Sequence, residues 1–67
     1  MNAEIVKEVA ETQPFRPFTV RLNNGKSYTF NEPRDFGAPK NYREIVFFGD
    51  ANLVFIDLDS IAEIIRQ

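Results

Sequence analysis

Phe18-Thr19-Val20-Arg21-Leu22-Asn23-Asn24-Gly25-Lys26-Ser27-Tyr28-Thr29-Phe30 alternates apolar and polar side chains on both sides of an Asn-Gly signal. A period of two is the pattern of a half-buried strand, and Asn-Gly between two such runs marks a hairpin. Face parity then selects the loop length. A two-residue loop at Asn24-Gly25 would set Val20 opposite Thr29 and Thr19 opposite Phe30, dividing the apolar residues between the two faces of the sheet. A three-residue loop, Asn23-Asn24-Gly25, pairs Leu22 with Lys26, Val20 with Tyr28 and Phe18 with Phe30, and one face becomes apolar throughout. That loop is commonly a type I turn followed by a left-handed residue, a place for Gly25.

Before the hairpin, residues 2–12 read as a helix. Ile5, Val6, Val9 and Ala10 share one face, Asn2 is the expected cap, and Glu4 lies where the helix dipole favours an anion. So short a helix is marginal alone in water, so its stripe is expected to dock on the rest of the chain. Pro14 and Pro17 hold residues 14–18 extended. After the hairpin, residues 31–43 (NEPRDFGAPKNYR) carry no periodicity and read as a long loop. Ile45 to Phe48 and Leu53 to Ile56 are continuous apolar runs around Gly49-Asp50-Ala51-Asn52, a second hairpin apolar on both faces. Its outer face therefore needs a cover, from the helix or from another subunit. The tail reads as a single helical turn at Leu58–Ser60 followed by a strand from Ile61 to Ile65. Ser60 and Glu63 at capping-box spacing offer a helical alternative.

The whole is one domain, 1–67, with the helix at 2–12 and the β region at 18–66. Of its 67 residues 43% are hydrophobic and 27% charged, a soluble composition with no run long enough for a membrane helix. A chain this short closes its stability balance only narrowly, and it has neither Cys nor His for a disulfide, a zinc site or a histidine-based triad. No cofactor is expected, a cytoplasmic location is the default, and seven Phe must supply much of the core. The net charge of −2 is unevenly spread: residues 1–15 carry −2, residues 16–43 carry +4 and residues 44–67 carry −4. An acidic chain disfavours non-specific nucleic-acid binding, while the basic middle leaves room for a local anionic contact.

Helix, hairpin, loop, hairpin, helical turn and strand is the element order of a five-stranded, strongly bent small barrel of the SH3-like class. Val20-Arg21-Leu22-Asn23-Asn24-Gly25-Lys26-Ser27-Tyr28 resembles the opening of the first Sm motif, an apolar-x-Leu strand running into Asn/Asp-Gly-Lys/Arg. The N-terminal helix matches the Sm-like version of the barrel. The chain also resembles a group of short bacterial proteins across residues 14–65. These open with Pro-Phe-x-Pro-Phe, here Pro14 to Phe18, and close with Ile-Asp-Leu-x-x-Ile, here Ile56-Asp57-Leu58 leading to Ile61. That second resemblance implies no activity. The Sm-like one implies a ring of copies joined through their edge strands, and a uridine pocket built from an Asp, an aromatic and an Asn with a later Arg-Gly pair. Asp35, Phe36 and Asn41 supply those types at stretched spacing. Where Arg-Gly would fall the chain reads Asp57-Leu58-Asp59-Ser60, whose carboxylates would repel a phosphate backbone.

Two functional readings follow, neither of them enzymatic. In the first, the chain is a small-barrel module contacting RNA through the loop at 31–43, with Arg34, Phe36, Lys40, Asn41, Tyr42 and Arg43 near the contact; aromatics stack on bases while cations hold phosphates. The competing reading of the same residues folds Phe36 back into the core and lets Tyr42 begin a strand. In the second, the chain is a protein-interaction or structural homo-oligomer joined through Leu53, Phe55, Ile61, Ile64 and Ile65. Asp57 and Asp59, the one D-x-D pair, read as caps of the helical turn rather than as cation ligands. Glu32 and Asp35 read as solvated loop charge.

Overall fold

The computed structural model describes residues 1–67. One helix, α1 (Ala3–Glu11), is followed by six strands: β1 (Phe18–Leu22), β2 (Ser27–Phe30), β3 (Phe36–Gly37), β4 (Glu44–Phe48), β5 (Leu53–Asp57) and β6 (Ile61–Arg66). They form two three-stranded antiparallel sheets, ordered β2-β1-β6 and β3-β4-β5. The expected mostly β fold with an N-terminal helix is present, but the single five-stranded barrel is corrected to six strands in two sheets with no closed barrel. The reason lies at the two crossings between sheets. Each crossing is a 3₁₀ turn, Pro33–Asp35 or Leu58–Ser60. A 3₁₀ turn spends its backbone groups on local i→i+3 bonds, so the ladder stops there, and Pro33 has no N–H to give.

The first hairpin has the three-residue loop. Phe18 pairs with Phe30 and Val20 with Tyr28. The Leu22 N–H donates to the Lys26 carbonyl at 2.8 Å, the Gly25 N–H donates to the Leu22 carbonyl at 3.0 Å, and Gly25 is left-handed at φ 89°. The tail also follows the expectation, with a 3₁₀ turn at Leu58–Ser60 and a strand running on to Arg66. β6 pairs with β1, and the register shifts by a bulge between Arg21 and Leu22.

Residues 31–43 are more ordered than their sequence suggests. Asp35 ties the first turn by accepting the Asn31 and Glu32 N–H groups at 3.2 and 3.1 Å. β3 then lays Phe36 beside Phe47 and Gly37 beside Val46. A Cβ on Gly37 would stand 2.8 Å from the Phe48 ring, so glycine lets that ring lie against the strand.

The core lies between the sheets. Phe18, Val20, Phe30 and Ile61 come from the first sheet, Ile45 and Ile56 from the second, Leu58 from the 3₁₀ turn and Val6 from α1. Phe18 stacks on Phe30 at 4.8 Å between centroids, and Phe36 and Phe47 meet Phe30 edge-on at 5.6 and 5.3 Å. No polar side chain is buried. α1 is capped by Asn2, whose Oδ1 accepts the Glu4 N–H at 2.7 Å. It docks through Val6 with Val9 and Ala10 beside it, whereas Ile5, expected on the same stripe, is 51% exposed. No helix is long and apolar enough to cross a membrane.

Candidate functional site

Of the loop residues nominated for a nucleic-acid contact, Asn41, Tyr42 and Arg43 line one groove and Lys40, Asn41 and Tyr42 a second pocket beside the start of α1, whereas Arg34 and Phe36 line neither. Phe36 is half-buried, its ring 6.1 Å from Phe18 and 5.6 Å from Phe30. Tyr42 stacks on Phe36 at 6.2 Å and donates its hydroxyl to Glu11 Oε2 at 2.9 Å, tying the loop to the end of α1. Burial, the hydrogen bond to Glu11 and the charge of that carboxylate push the Tyr42 hydroxyl up to about 12, so it serves as a neutral donor. Its backbone is left-handed at φ 53°, an uncommon conformation for a non-glycine residue. Arg34 sits in the first 3₁₀ turn with its Nε 3.2 Å from Glu32 Oε1. The Asn41 side chain is turned inward on its own loop, accepting the Arg43 N–H at 2.9 Å. Lys40 and Arg43 are exposed and make no ion pair.

Between this loop, the start of α1 and the second 3₁₀ turn runs a groove of about 490 Å³, lined by Ala3, Asn41, Tyr42, Arg43, Glu44, Asp57, Leu58 and Asp59. Its charges are one cation against three carboxylates, the wrong sign for a phosphate backbone. The expected capping role of Asp57 is corrected: it stands at the cap position of the turn, but its side chain makes no capping hydrogen bond. The carboxylates do not form a metal-binding group either.

The residues nominated for an oligomer interface fall into two sets. Leu53, Phe55 and Ile65 are exposed. Ile61 is buried in the core and Ile64 is half-buried against it, because the bulge against β1 lets these residues, three apart, share the core-facing side of β6, opposite Leu22 and Val20. They serve the fold, not an open surface. Phe48 completes the exposed set and was missed. Cross-strand pairing sets Phe48 beside Leu53 and Val46 beside Phe55, so these four share the outer face of the second sheet. Ile45, Phe47, Val54 and Ile56 turn the other way, toward the core. Face parity across the second hairpin is the signal for Phe48: with Leu53 and Phe55 outside, their cross-strand partners Phe48 and Val46 lie on the same face.

The outer face ends in a carboxylate pair. Glu44 lies directly opposite Asp57, both are exposed, and neither makes an ion pair. Past that end the acidic groove begins. Compared with protein-family models, curated proteins and solved structures, the chain finds no match.

Proposed function

We propose that the chain is a binding module rather than an enzyme, working by protein–protein contact through β5 and the outer face it shares with β4. The observation that carries this reading is the row Phe48, Leu53 and Phe55, three large apolar side chains exposed side by side, with Phe55 65% open to solvent. A small domain that closes its stability balance narrowly gains nothing from leaving such groups in water, and contiguous exposed apolar surface marks interaction sites. β5 also has a single neighbour, so one side of its backbone offers unpaired N–H and C=O groups. β6 is likewise an edge and bears exposed Ile65. In the Sm-like arrangement that the sequence resembles, such edges join copies, and a homo-oligomer, including a ring, is the self-associating form of the same reading. RNA contact through residues 31–43 has less support: Phe36 and Tyr42 are engaged within the fold, and Arg43 lies among carboxylates.

The test is photo-crosslinking in the cells that make the protein, with benzoylphenylalanine placed at Phe55 or, separately, at Tyr42. Protein adducts at position 55, with few at position 42, are expected; an adduct of twice the chain mass identifies a second copy. Nuclease-sensitive adducts at position 42 with none at 55 would replace this reading with RNA binding.

A further inference from the structure

We infer that the free edge of β5 accepts one antiparallel strand of a partner protein, with a basic residue opposite Asp57 and apolar residues opposite Phe55 and Leu53. This inference rests on the protein-contact reading and names its partner by chemistry: a segment reading basic-x-apolar-x-apolar.

The edges of the two sheets are not alike. Native edges are blunted by charges, prolines, bulges or extreme shortness. β3 has two residues with Pro39 just beyond, β2 presents Ser27 and Thr29 after Lys26, and β6 carries Arg66, Glu63 and the bulged register against β1. β5, Leu53-Val54-Phe55-Ile56-Asp57, has none of these devices before its last residue. Its backbone makes no hydrogen bond outside the pairing with β4. Main-chain addition at such an edge gives affinity, and alternate side chains give specificity.

Charge decides the occupant. Like charges directly opposite one another across a ladder are destabilising, yet Glu44 faces Asp57 with no cation paired to either. Asp57 is not spent on capping. Folding has no use for this pair, whereas a cation on an added strand would lie beside Asp57, with Asp59 and the acidic groove within reach of a long side chain.

A second copy does not supply that cation from an available strand. Its edge β2 with the preceding lysine reads Lys26-Ser27-Tyr28-Thr29-Phe30, the right order, but Phe30 is fully buried and Tyr28 packs against the core, so neither is free to lie opposite Leu53 or Phe55. In an antiparallel join to the β6 of another copy, setting Ile65 opposite Phe55 brings Glu63 opposite Asp57. Sliding the strand to set Ile65 opposite Leu53 brings Glu63 opposite Phe55. Glu63 is, moreover, already ion-paired with Arg21. A symmetric join of two β5 strands about Phe55 sets each Asp57 against a Leu53. A foreign basic strand satisfies all three positions.

The test uses the full chain, ¹⁵N-labelled, titrated with three acetylated and amidated peptides. The first reads Ser-Arg-Thr-Val-Thr-Ile-Ser, the second is the same residues in reverse order, and the third has Glu in place of Arg. The expected result is saturable shift changes centred on residues 53–57 with the first peptide. Affinity should be roughly two- to fivefold lower for the reversed peptide, which loses the charge pair, and about tenfold lower for the Glu peptide, which loses it and meets repulsion there. Asp57→Asn should narrow the difference between the Arg and Glu peptides, and Phe55→Ser should weaken all three. Equal binding of the three peptides, no binding, or shifts at β6 or β2 instead would overturn the inference. If no peptide binds while Phe55 crosslinks to a second copy, the occupant is that copy and the protein-contact reading stands. If neither occurs, both fall.

Discussion

At the scale of single residues, Gly25 is the position where local chemistry is most exposed to test. A Cβ there would meet nothing within 4 Å, so any cost of substitution comes from the backbone alone at φ 89°. Gly25→Ala should destabilise by about 1–2 kcal/mol. In a domain of this size each kcal/mol lowers the thermal midpoint by roughly 4–8 °C. A melting curve at or above that of the wild type would mean the turn relaxes to another form. Gly25 was readable because both its neighbours in the chain and the alternation around it point to one loop. Tyr42 was not. Its left-handed backbone and its bond to Glu11 join residues 31 positions apart, and no local pattern announces such a pairing.

At the scale of elements, α1 shows how much a stripe of apolar residues overstates what packing uses. The helical period places Ile5, Val6, Val9 and Ala10 on one broad arc, but docking covers only the part around Val6. Val6→Ala should therefore cost roughly 1–3 kcal/mol through lost burial and the space left behind. Ile5→Ala should stay within about 0.5 kcal/mol. Urea unfolding of both variants checks the contrast, and equal losses would show that α1 docks on a different face. The segment 31–43 is the opposite case, where the pattern understated the structure. A two-residue strand is shorter than any period that alternation can register, and a 3₁₀ turn held by the Asp35 carboxylate looks in sequence like any polar loop.

At the scale of the whole molecule, stability rests on one aromatic and aliphatic core with no buried polar group to assist it. Phe18 lies at its centre, fully buried, against Phe30 and within reach of Phe15 and Phe36. Phe18→Ala should cost about 3–5 kcal/mol. That matches the roughly 3–5 kcal/mol that a single core supplies to a domain this small. The variant should lose its cooperative melt and its β circular-dichroism signal at 25 °C, while Phe55→Ala, on the open face, keeps both. A cooperative transition retained by Phe18→Ala would show that the sheets hold together without the aromatic stack. The same economy explains the open face: α1 is nine residues long, and docked over Val6 it leaves Phe48, Leu53 and Phe55 uncovered.

The sequence by itself determined the elements whose signal is local and periodic: the capped helix, the first hairpin with its three-residue loop and register, and the second hairpin. These follow from rotamer, turn and face-parity rules acting over fewer than about a dozen residues. Between a turn with a strand and a short helix for residues 58–66, the structure decided. Only the tertiary structure decided that the strands divide into two sheets, because closure depends on whether distant strands meet at the two 3₁₀ crossings. It likewise decided that Ile61 and Ile64 serve the core while Phe48 joins Leu53 and Phe55 outside. Which apolar residues are covered is a matter of how much area the neighbouring elements can reach, and that quantity exists only once they are packed.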